Sequence, residues 1–258
     1  MPAFDLAATG GAIAFSLWGD NPKYMVGAVR NAELAPLLYP GWQPVFYIAS
    51  DIPALVKERL LALGSELVEC GDSAEWGDGL FWRFRIFADR RFRWAVVRDA
   101  DSRLSEREAL AVKAWLASGE ALHVMRDHPK HQFVMLGGMW GAQCEALRDI
   151  EGLLREFRAS SRFANRWGTD QDFLRDVVWP RLEHSRLMHD EFFWGRPFPS
   201  PRQQFRFVGE VFDEHTQPAS DWEWIRAHQL MAALPHYRHV MAPLPETLPC
   251  PFALTPAA

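Results

Sequence analysis

Five short apolar runs, at residues 12–17, 45–49, 67–70, 94–97 and 121–125, alternate along the first half of the chain with stretches of helical pattern. Helices are expected over 22–35, from Pro53 to Gly64, over 80–90 and from Ser105 to about 118. Their ends carry chemistry. Asp51 can cap the helix that Pro53 opens and Gly64 closes, the usual Pro-first, Gly-last asymmetry. Ser105-Glu106-Arg107-Glu108 reads as a capping box. The run 94–97 is apolar throughout, so it belongs in the middle of a sheet, buried on both faces. Strict alternation of strands and helices of this length leaves one economical solution: an α/β fold with a mostly parallel sheet and helices on both faces.

Beyond residue 126 the pattern loosens. A Gly-rich turn at Gly137, Gly138 and Gly141 precedes an expected helix over 143–160, and a shorter helix starts near Asp170 and stops before Pro180. A loop is expected at 197–201, a strand at 205–208, a helix over 221–233 and an irregular tail where four prolines fall between Pro243 and Pro251. The chain reads as one domain, with halves at about 12–125 and 126–195 and an elaboration over 196–258.

Charge excludes some functions. With 28 basic against 33 acidic residues the net charge is −5, unlike that of a nucleic-acid coat protein. Three cysteines without short spacing build neither a disulfide framework nor a thiolate zinc site. There is no basic region ahead of an apolar leader and no apolar run of membrane-spanning length, so a reducing cytoplasm is the expected location. Arg outnumbers Lys by 24 to 4, and Trp outnumbers Tyr by 12 to 4, which places flat rings beside several of the segments discussed next.

Asp99 and Asp101 stand one residue apart directly after the central apolar run. A turn at a strand end can aim both carboxylates at one hard divalent cation, which also takes phosphate oxygens. Arg83, on the preceding helix, can reach a phosphate near that strand end. The segment FWRFRIFADRRFRWAVVRDADSRLS, residues 81–105, resembles the core of nucleotide-sugar-dependent glycosyltransferases of the GT-A fold. There an aromatic–Arg helix leads to an apolar strand that ends in an Asp-X-Asp metal motif. Gly168-Thr169-Asp170-Gln171-Asp172-Phe173-Leu174 is similar to the DQD-x-L segment of retaining enzymes related to glycosyltransferase family 8.

The resemblance implies a site. Asp99 and Asp101 hold Mn2+ or Mg2+, and Asp170, Gln171 and Asp172 line the reacting face. Arg83, Arg126, Asp127, Gly137, Gly138 and Trp140 contact the donor, and Phe15 or Trp18 stacks on its base. It also implies a third metal ligand from a later His, for which His189 is the candidate, although the HFxGxxKPW surroundings are absent and His215, His228 or no His at all are the alternatives. The donor implied is a nucleoside-diphosphate sugar, UDP-linked first, and the acceptor a glycan, glycolipid or protein. His123, His128 and His131 have spacings that could suit a metal, but Pro129 breaks any helix that would align them. A metal-dependent phosphohydrolase, a nucleotidyltransferase and a binding module without turnover are the competing readings.

Overall fold

The computed structural model describes residues 10–72, 76–160, 162–164 and 166–233. The proline-rich tail and Cys250 lie outside them. Seven strands form one sheet: β1 (Gly11–Leu17), β2 (Gln43–Ala49), β3 (Glu66–Gly71), β4 (Trp94–Arg98), β5 (Leu122–Arg126), β6 (Met139–Gln143) and β7 (Arg186–Asp190), in the order β3-β2-β1-β4-β6-β5-β7. β6 runs antiparallel to both β4 and β5, and every other pairing is parallel. β1, β4 and β5 are buried along their whole length, as their apolar runs require. The chain winds outward from β1 through β2 to β3, then crosses back to lay β4 on the other side of β1. That reversal opens a crevice at the carboxyl ends of β1 and β4, where open α/β sheets bind ligands.

α1 (Pro22–Leu38) starts on an Asn21 cap with Pro22 in its first turn. α2 (Ala54–Ala62) is capped at Pro53, two residues past the expected Asp51, and Gly64 turns the chain at φ +80°. α3 (Trp76–Trp82) runs into a 3-10 turn, Arg83–Ala88, where a single helix was expected. α4 (Glu106–Ser118) has the Ser105 side chain on Glu108 N and a left-handed Gly119 at its end.

The second half departs further. The Gly-rich turn leads into β6, the 3-10 turn Cys144–Leu147 follows, and α5 (Ile150–Ala159) is only the later part of the expected helix. α6 (Thr169–Phe173) continues through a π turn, Leu174–Val178, into α7 (Trp179–Leu182), past the expected stop before Pro180. The π turn resets the register, so Pro180 sits in the first turn of a new segment, where its missing N–H costs nothing. Residues 205–208 form no strand; instead Val211 bridges Ser102. α8 (Trp222–Ala233) closes the described chain, and no described helix is long and apolar enough to cross a membrane.

Candidate active site

β1 and β4 pair in parallel with Phe15 opposite Arg98, so Ser16–Trp18 at the end of β1 and Asp99–Asp101 just past β4 lie side by side. Between them opens a cleft of about 350 Å3 whose lining includes Ser16, Trp18, Tyr24, Arg83, Asp99, Asp101, Gly137, Trp167, Asp170 and Gln171.

Arg83 organises its charge. Its backbone N donates to Ser16 Oγ at 3.0 Å, which ties the α3 end to β1. Its guanidinium is buried, donates to Arg98 O at 3.0 Å, pairs with Asp99, and reaches Asp170 Oδ2 at 3.3 Å. Burial pulls the guanidinium toward neutrality, but Asp99 and Asp170 more than offset this and its pKa is raised. Burial raises the Asp170 carboxyl above its usual range, against the pull of Arg83. Asp101 is raised too, first by burial and then by the neighbouring charge of Asp99, while Lys23 works against both. Gln171 Oε1 is buried and has no hydrogen-bond partner among the described residues.

Two glycines explain how these groups come so close. β6 runs antiparallel to β4 with Met139 opposite Arg98, which sets Gly138 against Asp99. A Cβ on Gly138 would strike the Asp99 carboxylate, and one on Gly137 would strike the Asp170 carboxylate, with Arg83 Nη2 only 2.9 Å away. A side chain at either position would have to displace one of these carboxylates. On the opposite side Gly79 leaves room for the Trp18 ring, which stands edge-on to Trp82 at 6.3 Å.

The carboxylates fit a hard divalent cation. Such an ion binds through one or two carboxylates and completes its shell with water and phosphate oxygens. The Asp99 side chain is 45% exposed to the cleft, and the mutual repulsion of Asp99 and Asp101 favours a cation between them. Among the described residues no third His, Cys, Asp or Glu completes a metal-holding group with them.

Several expected contacts stand elsewhere. Phe15 is fully buried and stacks on Phe46 at 4.7 Å, because it lies within β1 rather than past its end. Trp140 is core as well, stacked on Phe87 at 4.8 Å. Asp172 turns from the cleft to pair with Arg166 and Arg175. Arg126 is fully buried against Asp190, 2.5 Å away, and Asp127 pairs with Arg107 and Arg202 at 2.9 and 2.5 Å. His189 sits on β7, three strand spacings or about 14 Å from β4. Its Nδ1 meets His123 Nε2 at 2.8 Å, and it does not line the cleft with Asp99 and Asp101. Of the alternatives, His228 packs on Phe192 and His215 is exposed. The three early histidines do not meet at an ion either: His123 stacks on Trp115, and His128 bonds to Asp221 O at 2.8 Å.

Other site residues escaped the sequence reading. Lys23 Nζ meets Asp101 Oδ2 at 2.8 Å. Asn31 pins the Asp-X-Asp turn from α1, donating to Ser102 O at 2.9 Å and accepting from Leu104 N at 2.9 Å. Gly27 sits so close to Ala100 O that a Cβ could not fit. Val211 walls the cleft from the far end of the chain. A polar Asn among alanines on the buried face of α1 was the available signal for Asn31.

No family model and no curated protein matches this chain. Solved structures do resemble it. One is a mannosyltransferase from Pyrobaculum calidifontis in complex with GDP-Man and Mn2+, at 12% identity and TM-score 0.46 over 73% of this chain and 57% of that one. Another is 4-diphosphocytidyl-2C-methyl-D-erythritol synthase from Anaerococcus prevotii, at 7% identity and TM-score 0.44 over 66% of this chain and 84% of that one. The galactosyltransferase LgtC, in complex with donor and acceptor sugar analogues, gives 13% identity and TM-score 0.44 over 69% of this chain and 72% of that one. This chain therefore spans 57% of the length of the mannosyltransferase.

Proposed function

We propose that this chain is a metal-dependent glycosyltransferase acting on a nucleoside-diphosphate sugar, a UDP-sugar first among them. One observation carries the reading. At the point where the strand order reverses, the Asp99–Asp101 pair, a buried Arg83 and the Asp170–Gln171 corner face one cleft beside an aromatic entrance at Trp18 and Tyr24. Carboxylates for a cation, a fixed guanidinium and a carboxylate–amide corner are what a diphosphate leaving group and an oxocarbenium-like sugar need.

The roles divide by position. Asp99 and Asp101 would hold Mn2+ or Mg2+, which when bound supplies positive charge to the two phosphates. Arg83 is held in place by Asp99, Asp170 and Arg98 O, so its charge faces the departing diphosphate without reorganisation. Trp18 and Tyr24 offer flat faces for the base. Gln171 presents an unpartnered carbonyl oxygen, and Asp170 a carboxylate, on the sugar side, which supports a retaining outcome. Trp167, 68% exposed at the rim, suits an incoming glycan acceptor, of a polysaccharide or glycolipid kind. Free Cys70 and Cys144 fit a reducing cytoplasmic setting.

A panel of UDP-, GDP- and CMP-sugars with Mn2+, followed by melting temperature and product analysis, tests the reading. Glycosyl transfer or slow donor hydrolysis releases nucleoside diphosphate from a UDP- or GDP-sugar. Release of pyrophosphate from a nucleoside triphosphate would favour nucleotidyl transfer instead. A panel in which no nucleotide raises the melting temperature overturns the proposal.

A further inference from the structure

The two carboxylates at the end of β4 are each met by a cation of the protein, and the two cations are held very differently. Arg83 is 4% exposed, lines the cleft, and has two carboxylate partners and a carbonyl. Lys23 reaches Asp101 from the first turn of α1. Its side chain is 26% exposed, it has one carboxylate partner at 2.8 Å, and its Nζ lies 4.5 Å from the centre of the Tyr24 ring. Its backbone N is separately fixed by Asn21 Oδ1 at 3.1 Å, so the flexible stem can swing without disturbing the helix start.

An ammonium at 2.8 Å occupies one face of the carboxylate that a divalent ion would use, and two cations on one carboxylate repel. On the reading that Asp99 and Asp101 bind a divalent ion, we infer that Lys23 is a resident monovalent cation that competes with that ion for Asp101. Metal loading releases Lys23 from Asp101, and loss of the metal lets it return. Lys23 is therefore a residue that tunes metal affinity, and it holds the Asp101 charge balanced between loadings.

Mn2+ binding to the full chain, followed by the electron paramagnetic resonance signal of free Mn2+ without nucleotide, tests this. Lys23→Met is expected to bind Mn2+ about tenfold more tightly than the parent protein, because no charge-assisted hydrogen bond has to break. Lys23→Arg, which keeps the cation, should stay within about threefold of the parent. Asp101→Asn should abolish the gain. The parent protein supplies a second readout that needs no variant. Acetylation of its four lysines, read by mass spectrometry, should quicken at Lys23 by about threefold or more on Mn2+ addition. Lys57 and Lys130, paired with Glu69 and Asp221, should not change. Equal Mn2+ affinity for the parent and Lys23→Met, with Asp101→Asn weaker, would overturn the competition and leave the metal site standing. Absence of Mn2+ binding in every variant would overturn both.

Discussion

Replacing Arg83 by Met removes the cation that Asp99 and Asp170 share. The Asp170 side chain is 6% exposed, and its cationic partner is Arg83. Taking away one partner of a buried pair leaves the other charge unsolvated, which costs about 3–5 kcal/mol. For a chain of this size that lowers the melting temperature by roughly 10 °C. The loss depends on pH with a definite sign. Asp170 already titrates above the usual carboxylate range because of burial, and Arg83 holds it down. Without Arg83 its folded pKa rises further. A carboxyl raised in the folded state stabilises below its unfolded pKa, and that contribution is lost as pH rises through the folded value. Arg83→Met should therefore be least harmful near pH 4 and most harmful at neutral pH. Adding Asp170→Asn should restore much of the stability while activity stays lost. Thermal denaturation from pH 4 to 8 of the parent, the single variants and the double variant decides the matter. A loss under 1 kcal/mol at pH 7, or a double variant less stable than Arg83→Met, would refute the charge argument.

Other outcomes follow from the same geometry. Asp170→Asn should lower kcat by about 100-fold or more, whereas Asp172→Asn should keep kcat near the parent value and only lower the melting temperature, as its Arg partners imply. Gly138→Ala should weaken donor binding in calorimetry by about tenfold or more, since its Cβ displaces the Asp99 carboxylate. His189→Gln should leave Mn2+ binding unchanged but alter acid stability. Burial pushes His189 down to about 4, so its contribution is lost as pH falls from about 6.5 through that value, and the variant should lack this part of the pH dependence.

The first five strands were legible as short apolar runs, which the sheet buries on both faces in β1, β4 and β5, and Pro, Gly and Ser105 mark helix ends by local chemistry. β6 was not. Met139–Gln143 holds a glycine that a strand pattern normally excludes, and Gly141 is there because a Cβ would crowd Ala95 O and Val96. The Asp-X-Asp pair, Arg83 and the Asp170–Gln171 corner were legible as short motifs whose residues converge. Phe15, Trp140 and Asp172 were not, since each sits in the right segment while its side chain faces the other way. Direction within a strand is set by packing partners far along the chain, such as Phe46 and Phe87, and that of Asp172 by its Arg166 and Arg175 partners.

The least legible part of the site is its far wall, and the same long-range logic explains the misplaced Arg126 and Asp127. Residues 196–212 carry no strong pattern, yet they lie across the carboxyl ends of the strands. Asp127, fully buried at the end of β5, accepts from Arg107 of α4, from Arg202 and from the backbone N of Val208 at 2.9 Å. Glu191 takes the other sides of Arg107 and Arg202. Arg126 and Asp190 pair beneath, with Phe193 and Trp194 over the guanidinium. Buried ion pairs of this kind contribute little net stability against an apolar equivalent, but each tolerates few alternative geometries. Their effect here is one of placement. They fix where the segment crosses, so that Phe212 N donates to Asp101 O at 2.9 Å and Val211 bridges Ser102 to wall the cleft. Charges that look like substrate contacts in the sequence serve as a clasp. Removing Asp127 should therefore loosen the wall and weaken donor binding without touching any group that meets the donor.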